Sequence, residues 1–509
     1  MLSKTLSFTI LGLSAFPVEV EVDISRGLPG ITIVGLPDSS IKESKERIRS
    51  ALINSGFDFP LKKIIVNLSP ADLKKEGTGF DLAIALGILS GEGLLEKEKL
   101  KNKAFVGELS LDGSIRGVRG ILPFVLKAKE LDLEEIILPY ENLREAKLVK
   151  NFKISAFKHL REIFDYLKFG KGPLYENEEI ENLFEEEFQG DFSEIVGQHF
   201  AKRAFEISAA GGHNILLIGP PGAGKTMLAS RLPSILPPMS YEEALETTKI
   251  YSVAGLLSPE KPFISARPFR NPHFNISEAG LIGGGPFPRP GEVSLAHNGV
   301  LFLDEFPEFR RDVIEALRQP LEDGKVTITR AAFTVTYPAR FILVCAMNPC
   351  RCGYLGHPTK ACQCTYQEIK KYKSKLSGPI VDRIDLHVEV PPVEIKDLLQ
   401  ERGSPSESSK EIRERVLFAR KIQEKRYGTP LKLNAHLSSK DIKKICKLES
   451  GGEIFLEMAL KKFGFSARAV HKVLKVARTI ADLENCEIIK KEHLAEALQY
   501  RVLERKFYE

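Results

Sequence analysis

Eight consecutive residues, Gly219, Pro220, Pro221, Gly222, Ala223, Gly224, Lys225 and Thr226, spell the pattern G-x-x-x-x-G-K-[ST] that cradles a polyphosphate. Glycines at these positions let the backbone bend so that its N–H groups point inward, and a helix start just beyond adds its positive end. In that arrangement Lys225 reaches the β and γ phosphates and Thr226 holds Mg²⁺. The apolar run Asn214 to Ile218 reads as a strand and Met227 to Arg231 as a helix start, which is the order this chemistry requires. A chance glycine-rich turn lacks those flanks.

A second apolar run, Gly299 to Leu303, ends in Asp304 and Glu305. Asp304 is placed to grip the metal through its water shell and Glu305 to polarise an attacking water. Alone, two acids at a strand end are ordinary; with a phosphate loop about eighty residues upstream they spell ATP hydrolysis. Further along, the strand-like Phe341 to Met347 ends in Asn348, expected beside the Asp304 strand, where it can orient the lytic water. Asn348 in this place resembles the first sensor of AAA+ ATPases. Gly378 to Asp385 resembles the segment that offers an arginine to a neighbouring subunit's γ-phosphate, with Arg383 as the finger. Ser466-Ala-Arg468, opening a helix, resembles the second sensor; by spacing alone such arginines are surface charges.

Cys350-Arg-Cys352 and Cys362-Gln-Cys364 are two C-x-C pairs separated by the nine residues Gly353 to Ala361. Four thiolates so placed can close a tetrahedral structural Zn²⁺ site. The other reading is a set of free thiols, or two redox-active pairs, in a reducing compartment. His357, inside the loop, is either a surface histidine or a replacement for one thiolate.

The elements that must position these groups follow from composition and patterning. The chain has 509 residues, enough for about three domains. Its 43% hydrophobic and 28% charged residues are those of a soluble globular protein. A net charge of +5 permits nucleic-acid binding on a local surface without demanding it. Seven cysteines, four of them clustered, argue for a cytoplasmic protein over a secreted disulfide framework. No apolar segment approaches the ~18 residues that span a bilayer, and Met1 to Leu13 runs into the alternating Val18 to Ile24, so it reads as the first strands of a domain.

Residues 1–167 alternate strands (18–24, 30–34, 63–67, 104–109, 135–139) with helices (39–55, 81–89, 121–130), as a compact α/β domain. Residues 168–190, with the acidic run Glu176 to Glu187, read as a linker. An ATPase core is expected over 191–393, a second linker over 394–410, and a helical domain over 411–509 with helices at 412–426, 452–463, 467–483 and 491–500.

The stretch Ala266 to Ala279, then Gly283-Gly-Gly-Pro286, then Pro290 to Glu305, resembles the magnesium chelatase-like AAA+ ATPases and within them the ComM/YifB group, and the likeness extends over essentially the whole chain. The resemblance implies an AAA+ α/β core with a parallel sheet, a helical lid, ATP and Mg²⁺ as cofactors, hexameric rings, and a DNA helicase driving branch migration during natural transformation. Glu322 to Arg330 and Ala332 to Tyr337 alternate as a hairpin. It resembles the pre-sensor hairpin that enters the pore of related motors, where Lys325 and Arg330 would touch phosphates; otherwise it is a solvated hairpin. The glycine- and proline-rich 280s, with Arg289, resemble a second insertion.

Lys75 to Ala83 and Val106 to Ile121 resemble the proteolytic domain of Lon. That resemblance implies a Ser-Lys dyad, yet Gly79 stands at the serine position and Leu122 at the lysine position, and neither can do nucleophilic or acid–base work. An inactive Lon-like fold is expected. Three functions therefore stand at this point: a DNA motor, a protein-remodelling ATPase acting on a protein client, and an ATP-dependent protease.

Overall fold

The computed structural model describes residues 1–172, 190–285, 287–330, 333–376, 378–392, 407–463 and 467–501. The acidic run 176–187, residues 402–406 of the second loose segment and Ser466 lie outside them.

The first part of the chain builds a seven-stranded mixed sheet. Its centre is the long hairpin of Leu2–Leu11 and Ser14–Ser25, paired antiparallel from Leu2↔Asp23 to Leu11↔Ser14. Period-two patterning places Val18, Val20, Val22 and Ile24 in the core, with the charged residues between them turned toward solvent. The helix Asp81–Gly91, apolar apart from Asp81 and Ser90, is buried along its whole length and packs on this hairpin. The single strand expected over 104–109 is instead two, Lys103–Phe105 and Glu108–Leu109. Between them the chain leaves the sheet: Gly107 N–H donates to the Gly79 carbonyl, and Leu82 N–H donates to the Gly107 carbonyl.

The second sheet has five strands in the order Phe269–Arg270, Val300–Leu303, Ile342–Met347, Ile215–Ile218 and Leu386–Glu389. Every pair is parallel. A parallel sheet is covered on both faces, which is why these runs are continuously apolar and fully inside. All five carboxyl ends open on one edge, and that edge is where ligands bind in such sheets.

Helices Ser409–Tyr427, Ser439–Ile445, Gly452–Phe463, Ala467–Leu483 and Lys491–Gln499 form the carboxy-terminal part. Ser408 caps the first by accepting from Glu411 N–H. Ala467–Leu483 buries Val473, Val476, Ala477, Ile480 and Ala481 in a core shared with the helix His199–Gly211 of the parallel-sheet unit. The first sheet is likewise fastened to that unit. Tyr241 Oη donates to the Leu148 carbonyl at 2.5 Å, Ser252 Oγ donates to buried Glu145 at 2.5 Å, and Met239, Ala244 and Phe263 share its core.

The hairpin consists of Lys325–Arg330 and Phe333–Pro338, from Lys325↔Pro338 at its base to Arg330↔Phe333 at its end. Glu322 and Asp323, expected in the strand, close the helix Arg318–Asp323, and Gly324 at φ +64° makes the break. One face of the hairpin is buried: Ile328 and Val335 pack with Leu11 and Leu13 from the turn of the first sheet.

Candidate active site

The phosphate loop joins Ile215–Ile218 to the helix Lys225–Ile235 at the carboxyl edge of the parallel sheet. Gly222 and Gly224 adopt φ of +79° and +87°, and a side chain at either would project into open space with nothing within 4 Å. Such a cradle is shaped for a group that must approach the backbone closely. It lines a cavity of about 660 Å³ together with Pro221, Ala223, Lys225, Thr226, Asp304, Glu305 and Asn348. The structure thus brings together, from three strands, the residues singled out in the sequence.

Lys225 is buried and donates to the carbonyls of Gly219 at 2.7 Å and Pro220 at 2.9 Å, and to Asn348 Oδ1 at 3.1 Å. Burial pulls its ammonium below the usual lysine range, with Asp304 acting in the opposite sense. A desolvated cation gains most from a polyphosphate. Thr226 Oγ1 donates to Asp304 Oδ2 at 2.9 Å, and the two present adjacent oxygen ligands of the kind Mg²⁺ takes. Glu305 lies at φ +50°, a left-handed conformation uncommon for a glutamate, and Asp304 Oδ1 accepts its N–H at 2.8 Å. This sharp turn ends the strand and leaves the Glu305 side chain exposed at the cavity.

Besides Met227 and Met347, the run Asn271, Pro272, His273 and Phe274 lines the same cavity. Sequence reasoning assigned them no role. They follow the edge strand Phe269–Arg270, whose parallel pairing with Val300–Leu303 delivers them beside Asp304. The strand is two residues long, too short for a periodic signal.

Arg383 and Arg468 do not line this cavity. The Arg383 carbonyl accepts from Asn214 Nδ2 at 3.1 Å, just before the strand Ile215–Ile218, so Arg383 lies at the opposite edge of the sheet from the phosphate loop. Its guanidinium pairs with Glu322 and donates to the Pro379 carbonyl. Arg468 is exposed on the first turn of Ala467–Leu483. Lys325 and Arg330 are both exposed, but at opposite ends of the hairpin strand. Arg289 pairs with Glu76 at 3.6 Å.

The four cysteines converge. Cys350 Sγ lies 3.4 Å from Cys352 Sγ and 3.6 Å from Cys362 Sγ, Cys352 and Cys362 are 3.6 Å apart, and all four sulfurs lie within 4.8 Å of one another. Backbone N–H groups of Tyr354 and Gln363 bring the Cys352 thiol down to about 6. His357 is outside the cluster, because its Nδ1 accepts from the N–H groups of Thr359 and Lys360. In the first sheet Gly79 lines a separate cavity, whereas Leu122 is fully buried.

A five-stranded parallel sheet with a phosphate loop, an Asp-Glu strand end and a polar third strand end at one edge defines a P-loop ATPase of the AAA+ type. Residues 191–398 match the family described as magnesium chelatase, subunit ChlI, residues 20–142 match subunit ChlI of Mg-chelatase, and residues 406–501 match its C-terminal family. The chain is 47% identical over 502 residues to "Competence protein ComM" of Haemophilus influenzae, covering 97% of this chain and 96% of that protein. It is 46% identical over 496 residues to "Uncharacterized protein YifB" of Escherichia coli, with the same coverage. The "Magnesium-chelatase 38 kDa subunit" of Rhodobacter capsulatus is 27% identical over 177 residues, 31% of this chain and 50% of that protein. The chain belongs to the ComM/YifB group of the magnesium chelatase-like AAA+ ATPases, a family that implies ATP and Mg²⁺. Among the described residues, no helix is long and apolar enough to cross a membrane.

Proposed function

We propose that this chain is a ring-forming ATPase that couples ATP hydrolysis to movement on DNA, as a cytoplasmic branch-migration helicase like those its resemblance to ComM implies. One observation carries the reading: Arg383 stands at the edge of the parallel sheet opposite the phosphate loop. A four-residue strand spans about 13 Å, and the Arg383 guanidinium turns toward Glu322. This placement supports the reading that Arg383 serves a neighbour's nucleotide and that the complete site forms between subunits of a hexamer.

In this reading Gly219 to Gly224 wrap the phosphates and Lys225 neutralises the β and γ oxygens. Thr226 and Asp304 hold Mg²⁺, which polarises the phosphoryl oxygens when bound. Glu305 takes the proton of the attacking water and Asn348 orients it. Arg383 stabilises the transition state in trans, and Arg468 closes over the nucleotide from the helical lid of residues 411–509. Residues 191–393 are the ATPase core and residues 1–167 an inactive Lon-like tier. Arg330 at the end of the hairpin, and Lys325 at its base, contact DNA phosphates in the pore without reading sequence. The cysteine quartet holds a structural Zn²⁺.

The test is ATP turnover of the purified protein alone, with single strands, with duplex and with a four-way junction, beside Lys225→Ala. DNA stimulation that vanishes in the variant is expected. Intact basal turnover that no DNA raises, but that a protein client does, would replace the DNA motor with a protein-remodelling ATPase.

A further inference from the structure

We propose that Cys350, Cys352, Cys362 and Cys364 form a zinc site whose task is to lock Asn348 against the phosphate loop, so that metal occupancy controls ATP turnover. The control of turnover rests on the ATPase reading above; the metal site rests on geometry alone.

Zinc held by four thiolates at about 2.3 Å sets its sulfurs about 3.8 Å apart, the edge of a tetrahedron. The separations among the Cys350, Cys352 and Cys362 sulfurs are 3.4, 3.6 and 3.6 Å, and the Cys364 sulfur lies within 4.8 Å of all three. A disulfide would need about 2.05 Å, and all four cysteines are free. Backbone N–H groups turn toward the sulfurs: Cys352 N lies 3.4 Å from Cys364 Sγ and that of Leu355 faces Cys350, while Gly353 N–H closes the first loop by donating to the Cys350 carbonyl at 3.0 Å. Two short loops whose amides converge on four sulfurs form a built ligand set of the soft, tetrahedral kind that zinc takes.

The knot grips Asn348 from both of its ends. On the incoming side Cys350 follows Asn348 by two residues, directly beyond the strand Ile342–Met347. The tip of the first loop, Gly353 at φ +84°, lies on the phosphate loop so closely that a Cβ there would be 2.6 Å from Pro221 Cδ. On the outgoing side Cys364 leads into the helix Tyr366–Lys373, whose buried Tyr372 lies against the Asn348 backbone. Between these holds Asn348 Oδ1 accepts from Lys225. The first C-x-C pair meets the second, across nine residues without a helix or strand, through the Cys352 N–H to Cys364 Sγ contact and the sulfur cluster itself. A bound metal would add the strong bonds that tie the Tyr372 side of the clamp to the Gly353 side, which these weak contacts alone hold loosely. Asn348 is the catalytic residue of this pair, and the cysteines position it.

Elemental analysis of the purified full chain is expected to find about one zinc per chain. Removing it with a zinc-selective chelator that leaves Mg²⁺ in place is expected to lower kcat by about 10- to 100-fold, the cost of misplacing one group by an ångström. KM for ATP should change far less, and added Zn²⁺ should restore kcat. Hydrogen exchange over 342–350 should rise on the same treatment, a readout that needs no turnover. Cys352→Ser with Cys362→Ser should reproduce the loss, Cys362→His should recover both zinc and turnover, and Cys486→Ser should change neither. If the double variant does not fold, the chelator experiment on the folded chain decides. Absence of zinc, or iron in its place, overturns the site. Zinc whose removal leaves kcat and hydrogen exchange unmoved, or lowers kcat only with loss of the fold, overturns the positioning role. A lack of DNA stimulation overturns the motor reading alone, since zinc content, basal kcat and exchange are read without DNA.

Discussion

Thr226 and Asp304, 78 residues apart in sequence, are joined by a 2.9 Å hydrogen bond from hydroxyl to carboxylate. One oxygen comes from the helix after the phosphate loop and the other from the neighbouring strand end but one. In the proposed site, Mg²⁺ bound by both would belong to a single network. Thr226→Ala and Asp304→Asn are each expected to cut ATP turnover by about 100- to 1,000-fold. Because they remove one interaction, the double variant should fall little below the worse single. Phosphate release followed over a Mg²⁺ titration measures this, and multiplicative losses would show the two to be independent.

Glu305 holds its left-handed backbone at the end of the strand Val300–Leu303 and faces the cavity. Glu305→Gln keeps size and backbone demand while removing the proposed base. Turnover should drop by about 100- to 10,000-fold while nucleotide affinity stays within a few-fold, as calorimetric titration can establish. Loss of binding in parallel with turnover would argue for a structural role instead.

Arg383 lies at the edge of the sheet opposite the phosphate loop of its own subunit, and the proposed reading makes it a finger for a neighbour's site. Arg383→Ala and Lys225→Ala should each be nearly inactive, since such a finger contributes about 10³- to 10⁵-fold. Mixed together they should regain turnover, because some interfaces then pair an intact loop with an intact finger. Mixtures no more active than the separate variants would place the finger elsewhere.

Arg330 stands at the end of the hairpin and Lys325 at its base, five residues back. Arg330→Ala should weaken DNA binding evenly across sequences and lower the slope of affinity against salt by about 1. Lys325→Ala should do less. Fluorescence anisotropy at several salt concentrations separates the two, and an unchanged slope in both would remove the hairpin from the DNA path.

His387 sits in the strand Leu386–Glu389 with no exposed surface. Burial, with the charges of Arg501 and Lys472 nearby, holds its imidazole well below the ordinary histidine value. The unfolded chain takes up a proton near pH 6.5 that the folded chain refuses, so this group's contribution to stability is present above that pH and lost as pH falls, by up to about 1.4 kcal/mol per unit. His387→Asn removes that linkage. The gap in thermal midpoint between wild type and variant should narrow from pH 7.5 to 5.5; a constant gap would mean the imidazole titrates alike in both states.

What could be read from the sequence was what lies close together along the chain. Strand, phosphate loop and helix over 215–235 are contiguous, so their order alone defines a polyphosphate cradle. Period-two alternation at Val18 to Ile24 and the apolar runs before Asp304 and Asn348 announced strands, because burial of one face or both leaves its mark on neighbouring residues. Even the four cysteines were close enough in sequence to suggest one cluster. The tertiary structure alone decided what crosses between elements. It carried Asn271 to Phe274 into the cavity through a two-residue edge strand, put Arg383 on the far edge through the parallel order of the sheet, and brought Tyr372 back onto Asn348. It also broke 104–109 at Gly107 and seated Leu11 and Leu13 under the hairpin. These relations arise from hydrogen bonding and packing between segments tens or hundreds of residues apart, and local patterning records that a surface is buried without recording which partner buries it.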